Sequence, residues 1–169
     1  MAGLCVGLLM VAAIALVISF SLGPRRMLDV SWPLVILFIF LITPVHELLH
    51  AAGFEGGWSS HRVVFGFYPK ALGCYAHYHG KIRRTRYIII AALPLLVLTI
   101  MPLAVVAVGR LHYVHLTEVV IANGLASAVD VLAIVAVSRQ VPNQSVLINS
   151  GMKTYWRPVA NKPLDTDAG

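Results

Sequence analysis

Charge is scarce in this chain: Asp, Glu, Lys and Arg together make 12% of 169 residues, and only seven are acidic. A soluble domain carries about twice that share, so a solvated globular surface is excluded as the main architecture. Cysteine is nearly absent, and Cys5 and Cys74 are too far apart in sequence to suggest a disulfide framework. No internal repeat is visible, which argues against the many transporter folds built from duplicated halves. What fills the space is apolar: 59% hydrophobic residues and a mean hydropathy of +0.82. This is the composition of an integral membrane protein with no room for a separate soluble domain. Thirteen Lys and Arg give a net charge of +6. They fall mainly in loops between apolar runs, so membrane topology accounts for them and nucleic-acid binding is not expected.

Four runs are long enough to cross about 30 Å of hydrocarbon as helices: residues 3–23, 32–54, 87–109 and 116–138. The first has no positive charge before it and no clean small-x-small cleavage site before Pro24-Arg25-Arg26, so it reads as a retained span rather than a signal peptide. Between the second and third runs the chain turns polar and aromatic. Val63-Val64-Phe65-Gly66-Phe67-Tyr68 and Cys74-Tyr75-Ala76-His77-Tyr78-His79 read as strands around a turn-like Pro69-Lys70-Ala71-Leu72-Gly73, a β-hairpin over about residues 62–80. After Arg139, Val146-Leu147-Ile148 and Tyr155-Trp156 suggest a strand pair or flap. The expected fold is therefore an all-α membrane protein. It has four transmembrane helices, a hairpin between the second and third, and a short cytoplasmic β-like flap. Residues 1–160 form one polytopic domain and residues 161–169 a disordered tail.

The second run holds His46-Glu47-Leu48-Leu49-His50 near its far end. Positions i and i+4 project from one helix face, so His46 and His50 can offer two imidazole nitrogens to one metal ion. Glu47 stands where zinc proteases keep the carboxylate that takes a proton from water during attack on a carbonyl. His-Glu-x-x-His alone is a moderate signal, since it also occurs on ordinary solvated helices. Three ionisable groups in an apolar span each cost roughly 2.5–3.5 kcal/mol at mid-bilayer on insertion scales, which calls for a ligand. Pro44 precedes the motif and marks either a local distortion or a simple kink.

The fourth run carries Asp130, preceded by Asn123 and Ser127 on one helix face. Hydrogen bonding between helices explains the amide and hydroxyl but not the carboxylate, which a dication would partner. At about 1.5 Å per residue, His46 and Asp130 each lie about 13.5 Å from the same membrane face, so they can meet. His77 and His79 are reserve ligands, while His61, His112 and His115 fall in loops.

Ten basic residues, Arg62, Lys70, Lys81, Arg83, Arg84, Arg86, Arg139, Lys153, Arg157 and Lys162, fall on the hairpin side, against Arg25, Arg26 and Arg110 on the other. The positive-inside rule places both termini, the hairpin and the nearer mouth of the site in the cytoplasm. A single short chain of this kind suits the plasma (inner) membrane of a prokaryote.

Taken together, the second run with its motif, the hairpin, and the fourth run with Asn123, Ser127 and Asp130 resemble the putative zincin peptidase family, a small relative of the site-2 protease group. The resemblance implies that His46, His50 and Asp130 bind one zinc ion per chain, that Glu47 is the general base, and that Asn123 orients substrate or oxyanion. The chain departs from the wider site-2 protease pattern: Asp130 is followed by Val131 rather than glycine, and Asn123 by Gly124-Leu125-Ala126. The expected activity is zinc-dependent hydrolysis of a peptide bond in a membrane-protein or peptide substrate within or beside the bilayer. The alternative is a non-hydrolytic membrane protein of the same fold that binds a metal or a helical partner. A homodimer is compatible with either.

Overall fold

The computed structural model describes residues 2–22, 30–69, 73–109, 115–150 and 153–159. The tail at 161–169, the hairpin turn at 70–72, His112 and the basic residues Arg25, Arg26, Lys70, Arg110 and Lys162 lie outside them. In chain order the elements are α1 (Ala2–Leu22), α2 (Trp32–Gly53), β1 (Val63–Tyr68), β2 (Gly73–Tyr78), β3 (Ile82–Arg83), α3 (Arg84–Leu95), a π-helical turn (Leu96–Ile100), α4 (Met101–Gly109), α5 (Leu116–Ala126), α6 (Ala128–Gln140), β4 (Ser145–Ser150) and β5 (Lys153–Pro158).

Helix α2 is inside out by soluble standards. Ile36, Leu37, Phe40, Leu41, Val45 and Leu48 form an exposed apolar stripe, while Val35, His46 and Ala51 face inward. That polarity needs lipid outside. Trp32–Gly53 and Arg84–Val105 are each long and apolar enough to cross a membrane, and the pair α5–α6 is a third span if its 42° bend is counted within one crossing. Pro33 opens α2, where a missing N–H costs nothing, and Pro44 sits inside it without interrupting the helix.

Several boundaries differ from the sequence reading. The third apolar helix begins at Arg84 rather than Tyr87, because Arg84 folds back onto the Ser138 carbonyl at 2.9 Å and Asn143 Oδ1 at 2.6 Å. The fourth run is two helices, broken at Ser127, whose ψ of −4° departs from the helical −42° and turns the axis. The flap is a three-stranded antiparallel sheet in the order β3-β4-β5, with Ile82 opposite Leu147 and Leu147 opposite Trp156. The architecture is thus mostly helical with two small sheets rather than purely α.

Three apolar clusters hold these parts in place. Ile14, Val35, Val120, Ile121 and Ala122 join α1, α2 and α5. Gly124 lets α1 close in, since a Cβ there would stand 2.5 Å from Ile14 Cδ1. Ala51, Phe54, Tyr78, Ile82 and Ile90 seat the hairpin against the ends of α2 and α3, with the Phe54 and Tyr78 rings stacked 5.0 Å apart. Val137, Val141 and Leu147 fasten the three-stranded sheet beneath α6. The hairpin is thereby held over the motif end of α2.

Candidate metal centre

His46 and His50 point from one face of α2 toward α6, where Asp130 meets them. Nε2 of His46 is 3.2 Å from Nε2 of His50 and 3.0 Å from Asp130 Oδ2, and His50 Nε2 is 3.4 Å from Asp130 Oδ1. Among the described residues these three form a group close enough to share one ion. His77 and His79 stand apart from it with their rings 4.7 Å from each other, His61 is exposed, and His115 lies 4.0 Å from Glu118. The His77 imidazole is held below its usual value, by burial first and by the neighbouring His79 second.

Both histidine tautomers follow from their other nitrogens. His50 Nδ1 is 2.9 Å from the Ile90 carbonyl, which can only accept, so Nδ1 carries the hydrogen. His46 Nδ1 is 3.0 Å from Asn123 Oδ1. The amide orientation is set on its far side, where Nδ2 donates to the Pro94 carbonyl at 3.0 Å and to Thr99 Oγ1 at 2.9 Å. Oδ1 therefore faces His46, and that ring also donates from Nδ1. Two neutral imidazoles so fixed turn two Nε2 lone pairs toward each other and toward a carboxylate.

Such an arrangement repels itself unless a proton or a metal cation sits within it. Asp130 Oδ2 is buried and, with both Nε2 atoms unprotonated, has no hydrogen-bond donor, as a ligand oxygen would. Four-coordinate zinc with ligand bonds near 2.0–2.1 Å spaces its donors by about 3.3 Å, and the three separations here bracket that value. The residues fit a zinc ion, with Asn123 and the Ile90 carbonyl as the outer partners that metal-binding histidines ordinarily have.

Residues 39–146 match the model of the family described as "Putative zincin peptidase". The chain belongs to that family. The match covers well over half of the sequence and takes in α2 from Ile39 onward, the hairpin, α3 to α6 and the first residues of β4. No curated protein and no solved structure matches the chain. Membership supports a metallopeptidase, and the convergence of His46, His50 and Asp130 supplies the metal site such an activity needs.

Glu47 points toward the hairpin. Its Oε2 accepts the Ala76 backbone N–H at 2.7 Å. His79 donates across to the Arg62 carbonyl at 2.8 Å, so by alternation the odd-numbered residues of β2 bond to β1 and the even-numbered ones face the other edge. Ala76 therefore belongs to the unpaired edge. Asn123 and Ser127 are fully buried, with Nδ2 of Asn123 3.5 Å from Ser127 Oγ.

Sequence reasoning did not single out Ile90, Thr99, Ala76 or Glu118. Thr99, a lone hydroxyl in an apolar run, was the available signal for the Asn123 cradle. Glu118 is buried at the opposite end of the bundle and accepts the Ser31 N–H at 3.3 Å, tying the start of α5 to the start of α2.

Proposed function

We propose that the protein is an intramembrane zinc metallopeptidase of the site-2 protease kind, hydrolysing a peptide bond of a membrane-embedded or membrane-proximal substrate. The observation that carries the reading is the pair of fixed Nε2 lone pairs converging with the half-buried Asp130 carboxylate inside an apolar bundle. Zinc, when bound by His46, His50 and Asp130, supplies Lewis acidity and lowers the pKa of a coordinated water toward ~7.

The chain's own groups do the rest. Glu47, with Oε2 on the Ala76 N–H, keeps Oε1 to take the proton that water gives up as it adds to the peptide carbonyl. An intact substrate helix shields its carbonyls in its own hydrogen-bond ladder, so the cleaved segment must unwind. The edge of β2 away from β1 can hold that segment extended through the backbone groups of Cys74 and the Ala76 carbonyl, the Ala76 N–H being held by Glu47 and the Tyr78 carbonyl by Gly80. Asn123 has both amide hydrogens engaged and no exposed surface, so its part is to orient His46 and not to touch substrate or oxyanion.

The same proposal includes α1 as a first crossing, giving four spans with both termini cytoplasmic. Support comes from the apolar helix over Gly7–Val17 and from the basic residues of the hairpin side. Exposed Phe65, Phe67, Tyr68 and Tyr75 fit a hairpin lying at the lipid interface.

The test is cleavage of single-span model peptides co-reconstituted in lipid vesicles, read by mass spectrometry, with wild type beside Glu47→Gln. Wild type should cleave, and the variant should keep its zinc while losing at least ~10²-fold in rate. Cleavage by the variant at the wild-type rate removes Glu47 from its role. Zinc-loaded wild type that cleaves nothing favours the non-hydrolytic binding protein.

A further inference from the structure

In an α-helix the carbonyl of residue i accepts from the N–H of residue i+4, so Ile90 is due a bond from residue 94. Residue 94 is proline and has no N–H. The Ile90 carbonyl is thus left without its helical donor in the interior of an apolar bundle, where an unpaired carbonyl is costly. The group that reaches it, at 2.9 Å, is Nδ1 of the ligand histidine His50.

Pro94 acts a second time through its own carbonyl. That oxygen and Thr99 Oγ1, on the widened turn that follows, receive the two hydrogens of Asn123 Nδ2. Because a carbonyl cannot donate, the amide is locked with Oδ1 toward His46 Nδ1, 3.0 Å away. One buried residue on α3 therefore sits behind the outer nitrogen of each ligand histidine, although no hydrogen bond joins it to either ring.

We infer that Pro94 is the positioning residue of the metal centre: its missing N–H frees the Ile90 carbonyl to fix His50, and its carbonyl orients Asn123 to fix His46. Prolines in membrane helices often serve only to bend them, and Pro44 supplies the comparison within this chain. It is exposed, lies in a continuous helix, and has no hydrogen bond to a ligand. The inference rests on the metallopeptidase reading for what the histidines hold, but not for how they are held.

Pro94→Ala places an N–H where it competes with His50 for the Ile90 carbonyl. Side-chain ¹⁵N spectra of the metal-free protein should then show His50 leaving the pure Nδ1–H tautomer, and the zinc dissociation constant should rise roughly 10–100-fold. The thermal midpoint of the metal-free protein should stay the same or rise, since alanine is the better helix former. Lactic acid at position 94, an ester with no N–H and no ring, should restore both the tautomer and the affinity. Pro44→Ala should change neither. The inference is overturned if Pro94→Ala keeps the wild-type tautomer and zinc affinity, or if the ester variant behaves like alanine, which would make the ring and not the absent N–H responsible. If wild type binds no zinc but its His50 tautomer still depends on residue 94, the metallopeptidase reading fails and the positioning role stands.

Discussion

His46 Nδ1 and Asn123 Oδ1 lie 3.0 Å apart, with the His46 side chain 6% exposed and Asn123 fully enclosed. This bond joins the motif helix α2 to α5 at the level of the candidate metal centre, and it decides which ring nitrogen of His46 faces His50 and Asp130. Asn123→Ala removes the acceptor and leaves the Pro94 carbonyl and Thr99 hydroxyl without their partner. Zinc affinity should fall by about 10–100-fold, and stability by about 1–3 kcal/mol for the unsatisfied buried groups. Isothermal titration and thermal melts measure the two separately. An alanine variant with unchanged zinc affinity would show that His46 is oriented by packing alone.

Gly53 sits where α2 packs tightly on α3. A Cβ there would stand 2.6 Å from Ile90 Cγ1 and 3.0 Å from Leu93 Cδ1. Gly53→Ala should push the helices apart, costing about 1–3 kcal/mol as overpacking and drawing the Ile90 carbonyl away from His50. Adding Ile90→Ala removes the obstructing side chain while keeping the carbonyl, so the double variant should regain zinc affinity lost by the single one. A double-mutant cycle with no coupling would contradict the close approach.

Metal should also stabilise the fold. The three ligand atoms come from α2 and α6, which repel at this point without a cation and are clamped by one. Chelation should lower the thermal midpoint in detergent, and zinc at 100 times its dissociation constant should return about 2.7 kcal/mol. In Asp130→Ala the midpoint should no longer respond to zinc.

On the hairpin, His77 should titrate below the usual ~6.5 because its charged form is disfavoured by burial and by His79. The unfolded chain then binds more protons at this position just below pH 6.5, so its contribution to stability falls as the pH drops from ~6.5 through the depressed folded value. Ring-proton NMR titration should place the midpoint below that of a model histidine. His79→Ala should move it part of the way back, since burial is the larger cause.

The composition of the site was legible because chemistry unusual for a bilayer stands out. Two histidines four apart, a glutamate between them and one aspartate in a later apolar run each need a reason to be there, and counting residues from the same face put them at one depth. The hairpin was legible from two aromatic, alternating runs flanking a turn. Other features leave weaker traces. Ile82–Arg83 is too short to show a period, so β3 was hidden inside a basic stretch. Arg84 read as loop because it is charged, yet it folds onto the end of α6 and opens α3. The break at Ser127 rests on one backbone angle in an otherwise unbroken apolar run. The pairing of Pro94 with His50 was invisible in principle, because a freed carbonyl means nothing until the fold shows which side chain stands opposite it.

The proposed activity requires α2 and α6 to meet at one metal ion. Elemental analysis of detergent-purified protein tests it most directly, comparing wild type with Asp130→Ala and with the His46→Ala, His50→Ala double variant. About one zinc per chain is expected in wild type, as one set of three protein ligands with an open fourth position holds, and none in either variant. Wild type prepared without chelator that carries no metal, or zinc that persists in both variants, would contradict it.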